Sequence, residues 1–349
     1  MACSVCRSDK RESPMNLAPM IRIGLTVDAG RVRHVALDAA GSSPAQKLFI
    51  GIPAREVPAR AATVFALCPM AQSLAAELAI AAAHGEKPVV DRKRAIALGA
   101  ERLGENLRSL VLSWPGATPD RDALAALRGA LGALRGLADC TNAEMQTRIA
   151  DLRQSATVLG FAPHDANETR WFSRLLRDIS TDPLLGELAA PSPGSAAPAA
   201  DDRMFDLLAS DGDQLPQTPA RGIPVTEHLR ARGAAIVEAI DGLAQLASGG
   251  ASDTFASRTL GPGVGAAAVE SPRGRLFHVV ALDGADRIAQ YRTLSPTDRN
   301  FANDGPFAQA LLGREIGSGP AAERRVAQIA ALYDPCVAVE VTVRERTHA

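Results

Sequence analysis

The sequence is poor in cysteine and aromatic residues and carries no excess charge of either sign. Its 349 residues include 5 cysteines and 4% aromatics, with a net charge of −1 at pH 7. An odd and sparse set of cysteines argues against a disulfide framework and favours reduced thiols in the cytoplasm. The balanced charge gives no electrostatic reason to expect nucleic acid as a partner.

Long apolar runs are absent as well. The most apolar stretch, residues 71–83, is interrupted by Gln72, Ser73 and Glu77, whereas a membrane span needs about 18 apolar residues. The first residues are charged and have no apolar core, which argues against a secretory signal. We therefore expect a cytoplasmic protein that uses neither a membrane nor nucleic acid.

Common catalytic and nucleotide-binding motifs are also missing. The glycine-rich residues 261–265 have the wrong spacing for a dinucleotide fingerprint. Cys3 and Cys6 form a Cys-x-x-Cys pair in a polar segment, without the further ligands that a zinc site needs. His278 falls in the middle of a predicted strand, and we interpret it as a partly buried structural histidine rather than a ligand.

Helical periodicity and capping residues predict a mainly α-helical chain. The predicted helices cover residues 69–83, 91–113, 118–134, 141–159, 168–179, 226–246 and 321–332. Thr118 is the expected cap of the third helix, and Thr141 with Glu144 reads as a capping box for the fourth. Pro69 suits a first helical position, so Cys68 falls at the N-cap. There its sulfur should face free backbone N–H groups and the helix dipole, which favours a metal-binding thiolate.

Short β-elements are predicted towards either end of the chain. Residues 21–37 and 276–294 each have the pattern of a hairpin, and residues 337–343 form a third β-prone segment. The expected fold class is therefore mainly α with small β-elements, an α+β helical bundle.

The composition predicts one folded domain with two irregular segments. We expect a disordered tail over residues 1–18 and a single domain over residues 19–349. Residues 189–202 are rich in proline, serine, alanine and glycine, which predicts a disordered loop within that domain.

Four segments, taken together and in order, resemble the large subunit of [NiFe] hydrogenases. Residues 65–75 are similar to the family's Arg-x-Cys-Gly-Ile-Cys-Pro-x-Ala-His-Ser motif. Residues 270–274 resemble its Glu-x-Pro-Arg-Gly block, and residues 291–300 resemble its Pro-Thr-x-x-Asn block. Residues 334–336 resemble the start of its closing Asp-Pro-Cys-x-x-Cys-x-x-His motif. The resemblance implies the fold of a reduced large subunit.

The metal ligands depart from that family pattern. The family holds nickel and iron with two Cys-x-x-Cys pairs, whereas Phe65 and Val339 stand at two of those four positions here. Only Cys68 and Cys336 remain, and Gln72 replaces a histidine. Half of the sulfur ligands of nickel are missing, so the resemblance implies that no nickel is bound and that hydrogen is not turned over.

A shortened large-subunit relative with half of the cysteines resembles the HupK/HoxV type of hydrogenase expression/formation protein. That resemblance implies a non-catalytic scaffold that transiently carries the Fe(CN)2(CO) iron unit. Hydrogenase maturation factors and the hydrogenase large subunit are the partners that it implies. Cys68 and Cys336 are the implied metal ligands, because two soft thiolates can hold one low-spin iron.

The same resemblance assigns the surroundings of the iron. Arg273 matches the family arginine beside the diatomic ligands and would donate hydrogen bonds to a cyanide nitrogen. Pro272, Pro296 and Thr297 would shape the wall around these ligands. Two other functions stay open from the sequence: a metal-free interaction protein that binds maturation factors or the large subunit, and a divergent hydrogenase-type redox enzyme.

Overall fold

The computed structural model describes residues 20–39, 45–161, 167–186, 188–191, 201–210, 222–250 and 254–346. Within these ranges, no helix combines the length and the apolar character needed to cross a bilayer. The expected tail over residues 1–18 lies outside the described residues.

Helices account for most of the described chain, and the strands are short. The helices are α1 (Ala45–Leu48), α2 (Val57–Val64), α3 (Pro69–Ala83), α4 (Arg92–Leu112), α5 (Arg121–Leu134), α6 (Asn142–Leu159), α7 (Trp171–Thr181), α8 (Asp201–Ala209), α9 (Val225–Ala247), α10 (Pro296–Asn300), α11 (Pro306–Leu311) and α12 (Gly319–Leu332). The strands are β1 (Met20–Asp28), β2 (Arg31–Ala39), β3 (Ala189–Pro191), β4 (Gly222–Pro224), β5 (Phe255–Gly261), β6 (Val264–Ser271), β7 (Gly274–Leu282), β8 (Ile288–Leu294) and β9 (Ala338–Glu345). The α+β class is confirmed.

The first sheet joins the two ends of the described chain. Strands β1 and β2 form the predicted antiparallel hairpin, and β9 pairs in parallel with β1 from Met20 opposite Ala338. Alternate residues of β1, such as Ile23 and Val27, are buried against the helices, as expected for a strand with one apolar face. The pairing therefore fixes the end of the segment before β9 beside the start of β1.

The second sheet has four antiparallel strands in the order β5, β6, β7, β8. The hairpin of β7 and β8 is confirmed, whereas β5 and β6 were not predicted. The glycine-rich residues 261–265 form their turn, with Gly263 at a φ of 71°. A Cβ on Gly265 would collide with the backbone of Ala79 and Ala83, so this glycine lets β6 lie directly on α3.

Helices α4, α5, α6 and α9 contribute much of the main core, and α5 packs against α6. The Asp91 cap of α4 and the capping box of Thr141 and Glu144 on α6 are confirmed. The predicted cap of α5 is wrong: Asp120, not Thr118, accepts a hydrogen bond from the backbone N–H of Ala123. The aspartate carboxylate therefore sets the helix start two residues later.

The predicted loop over residues 189–202 is ordered at both of its ends. Strand β3 pairs with β4, and the carbonyl of Ala190 accepts a hydrogen bond from His228. Asp201 begins α8, where its buried carboxylate pairs with the buried Arg275. The loop boundaries are therefore wrong, because these polar contacts fix residues whose composition alone is loop-like. Residues 192–200 lie outside the described residues.

Candidate metal-binding site

The four segments that suggested the family meet in one region of the fold. Cys68 is the N-cap of α3, and Cys336 lies in the turn between α12 and β9. Arg273 lies in the tight turn between β6 and β7, and Thr297 lies in the first turn of α10. A Cβ added to Gly274 would lie 3.7 Å from Cγ of Pro296, so the Arg273 turn lies beside that ring. The fold thus brings together residues that are far apart in sequence.

Cys68 is a buried thiol with a raised pKa. Its side chain is 9% exposed, and burial is the largest cause that raises the pKa of its thiol to about 12. Repulsion between two ionised sulfurs acts in the same direction, because Cys336 is an electrostatic neighbour of Cys68. Arg273 acts in the opposite direction and lowers this pKa. The Cys68 thiol is therefore protonated in the metal-free protein at neutral pH.

The sequence predicted that the start of helix α3 favours the thiolate form of Cys68, and the structure shows that it does not. Glu101 on α4 accepts hydrogen bonds from the backbone N–H groups of Met70 (2.7 Å) and Ala71 (2.9 Å). The sulfur was expected to face free N–H groups of this first helical turn. These two are already bonded to Glu101, and Cys68 makes no side-chain capping bond. The prediction is wrong because a carboxylate from another helix is the better acceptor for the N-terminal end of a helix.

The pKa of the Glu101 carboxyl is shifted by its buried position. Burial raises the pKa of the Glu101 carboxyl to about 6, although the bonds from Met70 and Ala71 lower it. Its negative charge also raises the pKa of Cys68. The residue therefore fixes the start of α3 and opposes a second negative charge beside it.

Cys336 is held by Thr297. The Thr297 hydroxyl donates a hydrogen bond to the Cys336 sulfur at 3.3 Å and accepts one from the Cys336 backbone N–H at 3.3 Å. Both residues are largely shielded, with Thr297 only 7% exposed. The two bonds fix the direction in which this sulfur faces.

Arg273 has unused hydrogen-bonding capacity in a buried position. Its side chain is 7% exposed, with Nε 3.6 Å from Asp334 and Nη2 3.7 Å from Glu105. Its buried Nη1 has no hydrogen-bond partner among the described residues. An orphaned buried donor carries a large free-energy penalty, and a ligand with an exposed acceptor atom would remove it.

Asp334 connects the arginines to the Cys336 turn. Its φ of 44° is left-handed, an uncommon conformation for a residue that is not glycine. The Ser109 hydroxyl donates to its carboxylate, and Arg232 lies 3.6 Å from the same group. Arg273 lies 3.6 Å from the same carboxylate. Ser109, Arg232 and Arg273 therefore together hold the turn in which Cys336 lies.

The remaining predicted residues lie in the wall of this region. Pro272 and Pro296 are buried, as is Thr297. Among the residues that the structure describes, no three histidine, cysteine, aspartate or glutamate side chains converge to hold a metal ion.

Sequence reasoning missed the carboxylates and the second arginine around the thiols. Glu101 and Glu105 are four residues apart, which places both on one face of α4. That like-charged pair was the available signal for a basic partner, which the structure supplies as Arg273. Nothing in the sequence near Arg232 indicates its contact with Asp334.

A surface groove adjoins the site. It has a volume of about 530 Å³ and shares Pro69, Glu101 and Glu105 with the surroundings of Cys68. Leucine and alanine side chains of α5 and of the following turn contribute apolar lining, with Arg108 and Arg135 among its charged residues. The groove therefore lies next to the start of α3, although Cys68 itself does not line it.

Comparison with known proteins finds hydrogenase expression/formation proteins that are similar to this chain over nearly its whole length. The protein HupK of Rhizobium leguminosarum bv. viciae is 33% identical, and the match covers 95% of this chain and 98% of that protein. HupK of Bradyrhizobium diazoefficiens is 30% identical over 96% of this chain and 100% of that protein.

The fold is shared with chains of solved hydrogenase structures. A chain of an NAD+-reducing [NiFe]-hydrogenase, solved in the H2-reduced state, aligns with a TM-score of 0.55 and 16% identity. The alignment covers 88% of this chain and 93% of that chain. No family model matches the sequence. On the identity and coverage of its relatives, this chain belongs to the HupK family of hydrogenase expression/formation proteins.

Proposed function

We propose that this chain is an accessory protein of hydrogenase formation that holds the Fe(CN)2(CO) unit on Cys68 and Cys336. The observation that carries the proposal is an arginine with an orphaned buried donor beside two thiols. The names of the relatives supply the setting, since both are hydrogenase expression/formation proteins. Maturation factors and the hydrogenase large subunit are then its partners, in the cytoplasm.

The chemistry of the residues fits this cargo. Each thiol releases its proton to solvent when its sulfur binds iron, since the thiolate is the metal ligand. A cyanide nitrogen is an acceptor, and Nη1 of Arg273 is a charged donor without a partner among the described residues. Buried proline side chains beside it offer no competing donor, which suits the carbon monoxide ligand.

The proposal assigns no catalysis to the chain. Phe65 and Val339 cannot replace the two missing thiolates, so a bimetallic centre with four sulfur ligands cannot form from this sequence.

A carrier also needs to release its cargo. Two ligands, one with a strongly raised thiol pKa, hold iron less firmly than four, so reprotonation of the thiols assists transfer to the large subunit.

The test is an infrared spectrum of protein purified without oxygen from cells that contain the maturation machinery. We expect bound cyanide and carbon monoxide stretches together with about one iron per chain, on the two-thiolate stoichiometry. Cys68→Ser and Cys336→Ser should each lose both signals, and Cys140→Ser is the matched control that should keep them. Wild-type protein without iron and without these bands would contradict the proposal.

A metal-free chaperone for the large subunit or for a maturation factor is the second candidate. The observation in its favour is the protonated, buried state of the Cys68 thiol. If the double variant Cys68→Ser with Cys336→Ser supported full hydrogenase maturation, only this second function would remain.

A further inference from the structure

A line of three buried polar side chains leads from the second sheet to Cys68. Tyr291 on β8 lies with its hydroxyl 2.8 Å from Nδ1 of His278 on β7. Nε2 of that histidine lies 2.8 Å from Oε1 of Gln72 on α3, and Nε2 of Gln72 lies 3.9 Å from the Cys68 sulfur. All three are at most 4% exposed. Each side chain therefore touches the next, and the line ends at a proposed metal ligand.

The chemistry of a metal-bound thiolate sets the direction of every hydrogen bond in this line. A thiolate sulfur has no proton and only accepts, so Gln72 donates through Nε2 and its Oε1 remains an acceptor. That oxygen accepts a hydrogen bond from Nε2–H of His278. Nδ1 of the histidine then has no proton and accepts a hydrogen bond from the Tyr291 hydroxyl. The histidine is neutral in this arrangement, and its complete burial lowers its pKa to about 3.

Packing prevents the line from rearranging. The ring of Phe49 lies 4.7 Å from the ring of Tyr291, and the rings of Tyr291 and His278 meet edge to face at 5.4 Å. No water can replace a lost partner easily in so buried a place, and a buried polar group without a partner is strongly unfavourable. The amide of Gln72 is thus held in one orientation by groups behind it.

We propose that Gln72, oriented by His278 and Tyr291, is a positioning residue that donates to the Cys68 thiolate and tunes the electron density of the bound metal. The inference rests on the proposed function in taking Cys68 as a metal ligand. Hydrogen bonds to a ligating sulfur withdraw electron density and change the electronic properties of the metal. The carbon monoxide stretch of an iron unit reports that density directly.

The main test compares infrared spectra of iron-loaded Gln72→Met and wild-type protein. Methionine keeps the volume and removes the donor, so the thiolate becomes more electron-rich and the carbon monoxide stretch should move to lower wavenumber. Gln72→Glu keeps an acceptor for His278 but loses the amide donor, and its iron content should fall. Unchanged band positions in folded Gln72→Met would overturn the inference.

Tyr291→Phe tests the line from its far end. Removing the hydroxyl frees His278 from its fixed tautomer, so the stretch should move in the same direction by a smaller amount. Tyr333→Phe is the matched control, because Tyr291 and Tyr333 are the two tyrosines of the chain and both are buried. A shift equal to that of Tyr333→Phe would overturn the inference even if Gln72→Met does not fold.

A second probe separates this inference from the proposed function. Cobalt(II) added without oxygen to metal-free protein should give a sulfur-to-cobalt charge-transfer band that Cys68→Ser reduces. Gln72→Met should shift that band to lower energy. If wild-type protein carries no iron unit but Gln72→Met still shifts the cobalt band, the proposed function fails and the positioning role stands. If Cys68 contributes no cobalt band, both fail.

Discussion

At the scale of residues, Cys68 illustrates how a neighbour outside the sequence motif decides the chemistry of a residue inside it. Its place at the N-cap of α3 was predictable from Pro69. The state of its thiol was not, because Glu101 is 33 positions along the chain and occupies the N–H groups that would have favoured a thiolate. Local sequence reports backbone geometry, whereas the pKa of a buried group depends on charges that only tertiary structure brings near.

Serine at either thiol position is expected to impair hydrogenase formation in the cell. A hydroxyl has nearly the shape of a thiol but is a poor ligand for low-spin iron, so the yield of active hydrogenase should fall by at least about tenfold. The measurement is hydrogen oxidation with a dye acceptor in cell extracts that carry Cys68→Ser or Cys336→Ser.

The serine variants themselves should fold normally, as shown by an unchanged thermal midpoint of each purified protein. Cys140→Ser should leave the hydrogenase yield near that of the wild type. A yield that falls equally in Cys140→Ser would contradict a specific role for the two thiols.

At the scale of elements, the contact of α3 with β6 depends on one glycine. Gly265→Ala would drive a methyl group into the backbone of α3, and overpacking of this kind destabilises by about 3 kcal/mol. The loss should appear as a lower midpoint of urea unfolding. Because α3 carries Cys68 and Gln72, iron binding should weaken as well.

Gly261→Ala is the matched control for that substitution. Gly261 belongs to the adjoining strand, has no atom within 4 Å of an added Cβ and has no positive φ. Its midpoint should stay close to that of the wild type. An equal loss in both variants would mean that strand glycine as such, and not the contact with α3, accounts for the effect.

The burial of His228 beside strand β3 predicts that the free energy of unfolding depends on pH. This histidine is buried on α9 and bonds to the carbonyl of Ala190 at 2.7 Å; its burial lowers its pKa below the ordinary 6.5. A lowered pKa in the folded state means that the contribution to stability is present above pH 6.5 and is lost as the pH falls. Wild-type protein should therefore lose free energy of unfolding between about pH 7.5 and about pH 5.5.

His228→Gln isolates that contribution. The glutamine amide can donate to the same carbonyl of Ala190 but does not titrate, so the variant should lose less stability over the same pH interval. Urea unfolding at the two pH values measures the difference. Equal losses for both proteins would show that the folded state tolerates the protonated imidazole.

At the scale of the whole molecule, most of the element types could be predicted from the sequence, but not how the strands pair. Alternating and capping patterns identified α3, α4, α6 and both hairpins because these depend on neighbouring residues. The parallel pairing of β1 with β9 joins residues more than 300 positions apart. Short-range patterns carry no information on such a pairing, and the same holds for the contact of Arg232 with Asp334.

Replacing residues 192–200 by a glycine-serine linker of the same length should leave the molecule nearly as stable as before. Their proline, serine and alanine content offers little apolar surface to bury. Strand β3 and the ion pair of Asp201 with Arg275 lie outside the replaced segment. A thermal midpoint within a few degrees of the wild type is expected, and a drop of many degrees would show that the segment packs on the core.

The pairing of β9 with β1 also imposes an order on biosynthesis. The ribosome makes Cys68 early, but Cys336 reaches it only after translation has passed β9 and that strand has docked beside β1. Under the proposed function, a nascent chain that stops short of β9 carries one of the two proposed ligands in place and cannot hold the iron unit on both. The topology then restricts iron loading to chains in which β9 has been made and has paired with β1.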